Sequence, residues 1–364
     1  MYLSSLQIQH FRNLQANKLA LNPRFNVFYG ENGSGKTSIV EAIYFLAHGR
    51  SFRSSLLNRI IAEGQPEFTV FCELQTEGEI HRLGVSRARD GNSKIRLDGK
   101  NLASNAEIAR RMPMLLFHPE SFDLLTGGTK GRRQLLDWGV FHQESAFFKL
   151  WQDARRLIQQ RNASLKTHYS RQVLATWDSQ LVPIAEQMDQ YRAAYVEQLK
   201  PVLNSLVGDF LTQFKVNLQY HRGWPKDQSL AEALAHSQDN EHKSGHTHYG
   251  PHRADLRLKI GHAAAEEVLS RGQQKLLICA LKIAQGILLQ QTQGRNCIYI
   301  LDDMASELDE HNRARLLNHL KNLASQVFLT SIERDSLVKY LPEANTQTFW
   351  VNQGELKSLG TELT

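Results

Sequence analysis

Gly30-Glu31-Asn32-Gly33-Ser34-Gly35-Lys36-Thr37 is a complete G-x-x-x-x-G-K-[ST] phosphate loop, and its flanks decide the fold. The apolar run Phe25 to Tyr29 precedes it as a short strand. Ser38 to Ala47 follows, with Ile39, Ile43 and Leu46 at helical spacing. Gly30, Gly33 and Gly35 let backbone N–H groups converge on phosphate oxygens, and the start of the helix adds partial positive charge. The whole loop, with Glu31, Asn32 and Ser34, is expected to wrap the phosphates. Lys36 is expected to reach the β- and γ-phosphates, and Thr37 to hold Mg²⁺. A chance glycine loop needs neither strand nor helix around it; both are here, so the predicted ligand is a nucleoside triphosphate.

At 364 residues, with 41% hydrophobic and 22% charged, the chain suits a globular protein of two or three lobes. No apolar run approaches the length of a membrane span, and Met1 to His10 alternates like a strand rather than following a signal-peptide layout. Cys72, Cys279 and Cys297 are far apart and in no metal-ligand spacing, so reduced buried thiols and a cytoplasmic location are expected. The net charge of +6 is unevenly placed: Arg50 to Arg171 carries 20 Lys+Arg against 13 Asp+Glu, while the rest holds 23 against 24. Clusters include Arg82, Arg87, Arg89, Lys94 and Arg96, then Arg110-Arg111, Lys130-Arg132-Arg133 and Arg155-Arg156. Charge alone leaves two readings open, a solvated face and a surface for a phosphate backbone.

Strands are predicted near 2–10, 25–29, 68–75, 79–87 and 94–98, with turns at Glu77-Gly78, Asp90-Gly91 and Asp98-Gly99. From about 130 to 215 the pattern is helical. Trp177, Leu181, Ile184, Met188, Tyr191 and Tyr195 form a seam, and Pro183 and Pro201 argue against a long coiled-coil arm. The stretch from about 223 to 249 is polar and His-rich, and reads as a loop or exposed connector. Its His242, His246 and His248, with His252, fit no standard zinc spacing, so solvent exposure is preferred to metal binding. Asp255 to Ile260 returns the chain to α/β character. The expected division is an α/β lobe of 1–125 with 250–364, interrupted by a helical lobe of 126–249.

Two further motifs bear on chemistry. Cys297 to Leu301 is a buried strand ending in Asp302-Asp303. Asp302 is expected to serve the metal with Thr37, and Asp303 to polarise an attacking water, as base or positioning group. Leu269-Ser270-Arg271-Gly272-Gln273-Gln274 then opens an apolar helix, where Ser270 reads either as a helix cap or as an anion contact.

Phosphate loop, L-S-x-G-Q, strand plus Asp-Asp, and Ser306-Glu307-Leu308-Asp309 occur in an order that resembles the ATP-binding-cassette ATPases. The resemblance makes L-S-x-G-Q the signature and the last segment the D-loop. It implies a head-to-head homodimer in which Ser270, Gly272 and Gln273 of one protomer cap the ATP of the other. Phe11-Arg12-Asn13-Leu14 resembles the start of SMC-type heads, where Arg12 and Asn13 would lie beside the nucleotide. Only about 235 residues separate loop and signature, too few for the SMC arm. With Phe117-His118-Pro119-Glu120, Gly131-Arg132-Arg133-Gln134-Leu135-Leu136-Asp137 and Gly250-Pro251-His252-Arg253-Ala254-Asp255, the whole chain looks like the bacterial RecF family.

That resemblance implies an ABC-type ATPase head, a P-loop α/β lobe with an antiparallel β subdomain, carrying an inserted helical lobe and no long coiled coil. It also implies a recombination-mediator function: ATP and Mg²⁺ as cofactors, slow hydrolysis using Lys36, Asp302 and Asp303, DNA binding, and action with RecR and RecO in loading RecA at gaps and supporting the SOS response. Two departures are visible: Phe328-Leu329-Thr330-Ser331 lacks the switch His of transporter ATPases, and Phe117-His118-Pro119-Glu120 lacks the Gln of a Q-loop. Thr330 or Ser331 stands where the switch contact is expected. The transporter subunit is the alternative reading, disfavoured by the absent His, the Arg12-Asn13 start and the basic surplus. A third, an interaction protein that holds ATP without hydrolysing it, is disfavoured by Asp303.

Overall fold

Phe25–Tyr29 is buried along nearly its whole length, which a strand flanked on both sides and covered on both faces requires. The computed structural model describes residues 1–76, 78–167 and 170–359. They fall into two units, Met1–Phe122 with Gln293–Thr364, and Asp123–Thr292.

In the first unit Phe25–Tyr29 lies in a six-stranded sheet between Thr346–Asn352 and Gln326–Ser331, followed by Ile298–Leu301 and Met114–Phe117. These five run parallel, and Glu355–Leu359 closes one edge antiparallel to Thr346–Asn352. Helix Lys36–His48 follows the loop, buries Ile39, Val40, Ile43 and Leu46, and ends at Gly49 in the left-handed region. A second, antiparallel sheet runs in the order Asn17–Ala20, Tyr2–Gln9, Glu67–Thr76, Glu79–Ala88, Ser93–Leu97, Lys100–Asn101. Along Glu67–Thr76 the alternate residues Phe68, Val70, Cys72 and Leu74 are buried, the period of a sheet with one packed face. Asp98 and Gly99 both take positive φ, as a two-residue hairpin turn needs. The phosphate-loop sheet and the antiparallel subdomain expected from sequence are therefore both present. The turn read at Glu77-Gly78 includes Glu77, which lies outside the described residues.

The second unit contains helices Thr129–Gln143, Phe147–Lys166, Arg171–Phe210, Leu230–Ser244 and Arg271–Gln293, with strands Val216–His221, Asp255–Ile260 and Ala263–Ala264. Three expectations need correction here. Pro183 and Pro201 do not interrupt the seam: Arg171–Phe210 is one helix of 40 residues that contains both. Both prolines are on exposed positions, and the cost of each, about 3 kcal/mol, is offset by burial of Leu174, Leu181, Leu199, Leu203 and their neighbours. The stretch read as a connector holds the helix Leu230–Ser244, started by a capping box of Ser229 and Glu232 and stopped at Gly245. Finally, residues 250–292 belong to the second unit, not with the phosphate loop. Asp255–Ile260 pairs along its length with Val216–His221, and Gln285 donates to the Leu135 carbonyl and the Tyr195 hydroxyl. Among the described residues no helix is long and apolar enough to cross a membrane.

Candidate nucleotide site

A cleft of about 620 Å³ opens in the first unit at the carboxyl ends of the parallel strands, where ligands of open α/β sheets bind. Asn32, Gly33, Gly35, Lys36 and Thr37 of the phosphate loop line it, with Arg12, Asn13, Asp303 and Thr330. The loop starts where only glycine fits: Gly30 has φ +151°, and a Cβ there would stand 2.2 Å from the Val351 carbonyl oxygen. Lys36 Nζ donates to the carbonyls of Gly30 (2.8 Å) and Glu31 (2.7 Å), which holds the ammonium over the loop. Burial lowers its pKa, while Asp303 and Asp302 act in the opposite direction.

Thr37 and Asp302 meet as the sequence requires. The Thr37 hydroxyl donates to Asp302 Oδ1 at 3.0 Å, and the Thr330 hydroxyl donates to the same oxygen at 2.8 Å. Thr330 Oγ1 in turn accepts the Asp303 N–H at 2.8 Å. Of the two candidates for the switch position, Thr330 is the one in the cleft; Ser331 is fully buried and donates to the Glu333 carbonyl. Asp303 takes a left-handed backbone, φ +54°, which turns the chain out of the strand at the cleft wall. The two neighbouring acids are thus separated in role. Asp302 is buried with one oxygen saturated by hydroxyls, and Asp303 faces the space where a ligand would lie. This hydroxyl–carboxylate pair is what a Mg²⁺ bridging loop and strand needs, and Thr37 with Asp302 would hold it.

Burial raises the Asp302 pKa, opposed by the Thr330 and Thr37 hydrogen bonds and reinforced by the neighbouring Asp303 charge. A carboxylate whose folded pKa is raised destabilises the fold once ionised, so its penalty grows as pH rises through that pKa. Asp302→Asn keeps the amide oxygen for both hydroxyls and removes the charge. The ligand-free variant should melt above the parent near neutral pH, with the gain vanishing as pH falls below about 4. Calorimetric melting across pH checks this; a variant less stable at neutral pH would show that the charge is not the dominant cost.

Arg12 and Asn13 are both placed beside the loop. Asn13 Nδ2 donates to the Gly33 carbonyl (3.2 Å) and its Oδ1 accepts the Ser38 hydroxyl (2.9 Å). Arg12 makes a two-pronged pair with Glu41, Nε at 2.9 Å and Nη2 at 2.6 Å, and donates Nη1 to the Arg59 carbonyl. Glu41 is wholly buried inside the helix after the loop, and also accepts the Ser51 hydroxyl and faces Arg53 Nη1 at 3.5 Å. Glu41, Arg53 and Arg59 belong to no motif, yet Arg53 and Arg59 line the cleft. The available signal was an acid in the middle of the apolar run Ile39-Val40-Glu41-Ala42-Ile43, which has to be neutralised by a nearby cation. Phe117-His118-Pro119-Glu120 contributes none of the described lining residues.

Ser270, Gly272 and Gln273 belong to the second unit. Ser270 Oγ accepts the Gln273 N–H (3.3 Å), and Gln273 Oε1 accepts the Ser270 N–H (2.9 Å), a reciprocal cap on helix Arg271–Gln293. Ser270 therefore caps its helix, and its hydroxyl stands on an exposed first turn. Gly272 is exposed, and a Cβ there would meet no heavy atom within 4 Å. Among the described residues, no neighbour within the chain demands glycine there.

Residues 2–357 match the family described as RecF/RecN/SMC N terminal domain. The chain is 45% identical to the DNA replication and repair protein RecF of Vibrio cholerae, over 98% of this chain and 99% of the relative. It is 42% identical to the protein of that name from Escherichia coli, over 98% and 99%. Among solved structures it is similar to the recombination mediator protein RecF with ATP in the RecFOR pathway, with a TM-score of 0.88 and 24% identity, covering 98% of this chain and 97% of that one. It is similar at a TM-score of 0.62 and 16% identity to an SMC head bound to the C-terminal winged-helix domain of ScpA, covering 100% of this chain and 98% of that one. The fold is that of an ABC-type ATPase head.

Proposed function

Because this chain belongs to the RecF family within the RecF/RecN/SMC N-terminal domain group, we propose that it is a cytoplasmic, ATP-dependent DNA-binding protein of replication and recombinational repair. The observation that carries the proposal is the Thr37–Asp302 hydrogen bond inside a cleft lined by Lys36, Asp303 and Thr330. Loop, metal site and a free-standing acid converge there as phosphoryl transfer requires. ATP with Mg²⁺ occupies the cleft: loop amides and Lys36 take the phosphates, Thr37 and Asp302 hold the metal, and Asp303 orients water toward the γ-phosphate.

ATP also joins two protomers in this reading. The exposed first turn at Ser270 and Gly272 offers a hydroxyl, N–H groups and an approach unobstructed by any side chain at position 272. A γ-phosphate held by one protomer satisfies those donors on its partner, and hydrolysis removes the attraction. The dimer grips DNA through phosphates by the cations of 50–171, and slow turnover times its release. RecR, with RecO and RecA in the pathway, is the expected set of protein partners.

Sedimentation with and without ATP and a gapped DNA tests nucleotide, oligomer and nucleic acid together. The expected result is an ATP-dependent dimer that co-sediments with DNA and releases it as salt rises. A monomer under saturating non-hydrolysable analogue overturns the proposal. Ser270→Arg should leave monomer ATP affinity within about threefold and weaken ATP-driven dimerisation by at least about a hundredfold, because a bulky side chain then blocks the approach. Normal dimerisation of that variant would remove the signature turn from the interface.

A further inference from the structure

The second unit contains a cavity of about 270 Å³ that has no part in the nucleotide cleft, although its Lys130, Arg133 and Arg155 fall within the basic stretch assigned above to DNA. Two motifs singled out in sequence, Gly131-Arg132-Arg133-Gln134 and Gly250-Pro251-His252-Arg253-Ala254-Asp255, build it. Arg132 forks onto Asp255 through Nε (2.9 Å) and Nη2 (3.2 Å), and Arg133 Nη1 donates to the Ala254 carbonyl at 2.9 Å. Arg192 clasps Asp137 with Nε (2.8 Å) and Nη2 (3.0 Å) and donates Nη1 to the Pro251 carbonyl at 2.9 Å. These bonds tie the helices Thr129–Gln143 and Arg171–Phe210 to the turn Pro251–Arg253, and so fix the wall of the cavity.

The floor and the mouth differ in chemistry. Ala154, Ile158 and Met188 are buried and apolar, with Trp151 alongside. The mouth carries Lys130, Arg133 and Arg155, and among the described residues none of these has a carboxylate within ion-pair distance. The one acid in the lining, Asp137, is committed to Arg192. Arg133 is partly desolvated, which lowers its pKa; Arg192 and Arg253 repel it as well, and Asp137 and Asp255 offset that only in part. An anion at the mouth relieves both costs.

Trp151 stacks along Phe148 at 6.4 Å and carries the Arg155 guanidinium at 5.6 Å, so its ring is already engaged by its own helix and makes a poor platform for a base. A phosphate backbone uses exposed cations but has nothing to place in an apolar cavity. An apolar side chain between carboxylates uses floor and mouth at once. We propose that this cavity is the docking pocket for an acidic peptide segment of a partner protein, with one apolar side chain seated on Ala154, Ile158 and Met188 and flanking carboxylates on Lys130, Arg133 and Arg155.

The test is fluorescence anisotropy with the full chain and short fluorescein-labelled peptides in which aspartates surround a single phenylalanine, leucine or methionine. Controls replace the apolar residue by serine, or the aspartates by lysine. At least one aspartate-rich apolar peptide should bind, and its serine and lysine counterparts should bind at least about tenfold more weakly. Lys130→Glu with Arg155→Glu, both at exposed positions, should weaken binding at least about tenfold and leave ATP affinity unchanged. Ala154→Met, which fills the floor, should weaken it without removing the salt-sensitive component. The proposal is overturned if no apolar peptide binds at low ionic strength, or if the charge reversal leaves peptide binding intact. It is equally overturned if that reversal weakens only gapped duplex DNA, which would make the mouth a phosphate surface.

Discussion

Lys36→Ala is expected to weaken ATP binding by at least about a hundredfold and to abolish ATP-driven dimerisation with it. The ammonium is the one cation of the phosphate loop itself, held by the Gly30 and Glu31 carbonyls at the point where β- and γ-phosphates would lie. Removing one member of a desolvated, hydrogen-bonded charge pair costs about 2–5 kcal/mol, and about 3 kcal/mol is already a hundredfold. Arg12, Arg53 and Arg59 also line the cleft, but Arg12 is held by the Glu41 carboxylate and does not substitute for the missing charge. Titration calorimetry with ATP reads the effect, with circular dichroism to show that the variant is folded. An affinity within threefold of the parent would remove Lys36 from the site.

Asp303→Asn should separate binding from turnover. Asp302 cannot serve as the group that orients water: it is buried, and Oδ1 is occupied by the Thr37 and Thr330 hydroxyls. Asp303 lines the cleft on a backbone of φ +54°, a conformation that asparagine adopts readily, so the substitution changes charge with little change of shape. A positioned general base contributes about 10²–10⁴ in rate. The variant should therefore retain ATP affinity within about threefold, turn over at least about a hundredfold more slowly, and accumulate as dimer on ATP. Phosphate release and sedimentation measure the two arms. Parental turnover would show that Asp303 only shapes the turn.

Local chemistry made most of the site legible. A phosphate loop needs its glycines, Lys36 and Thr37 in consecutive order, and a metal-binding strand needs its acid directly after an apolar run, so both are written in short segments. What the sequence hid depends on distant partners. Glu41 stands out in sequence only as an acid within an apolar run; the partners that answer it, Arg12, Ser51 and Arg53, come from distant positions and converge on it only in the fold. Arg171–Phe210 continues through Pro183 and Pro201 because burial along the other face outweighs a local preference for stopping. Leu230–Ser244 hides in a polar stretch because a capping box and three buried apolar residues, Leu230, Ala233 and Leu234, suffice for a helix packed on one side. Residues 250–292 join the second unit through strand pairing with Val216–His221, which no composition signal announces.

The interleaved strand order of the first unit sets a schedule for the ribosome. Phe25–Tyr29 and its loop emerge early, yet both hydrogen-bonded neighbours of that strand, Gln326–Ser331 and Thr346–Asn352, are translated roughly 300 residues later. At ordinary synthesis rates the nascent strand waits on the order of 15–60 s with two open edges. During that interval the growing chain is a client for chaperones, and competence to hold nucleotide arrives only when the last third has been made.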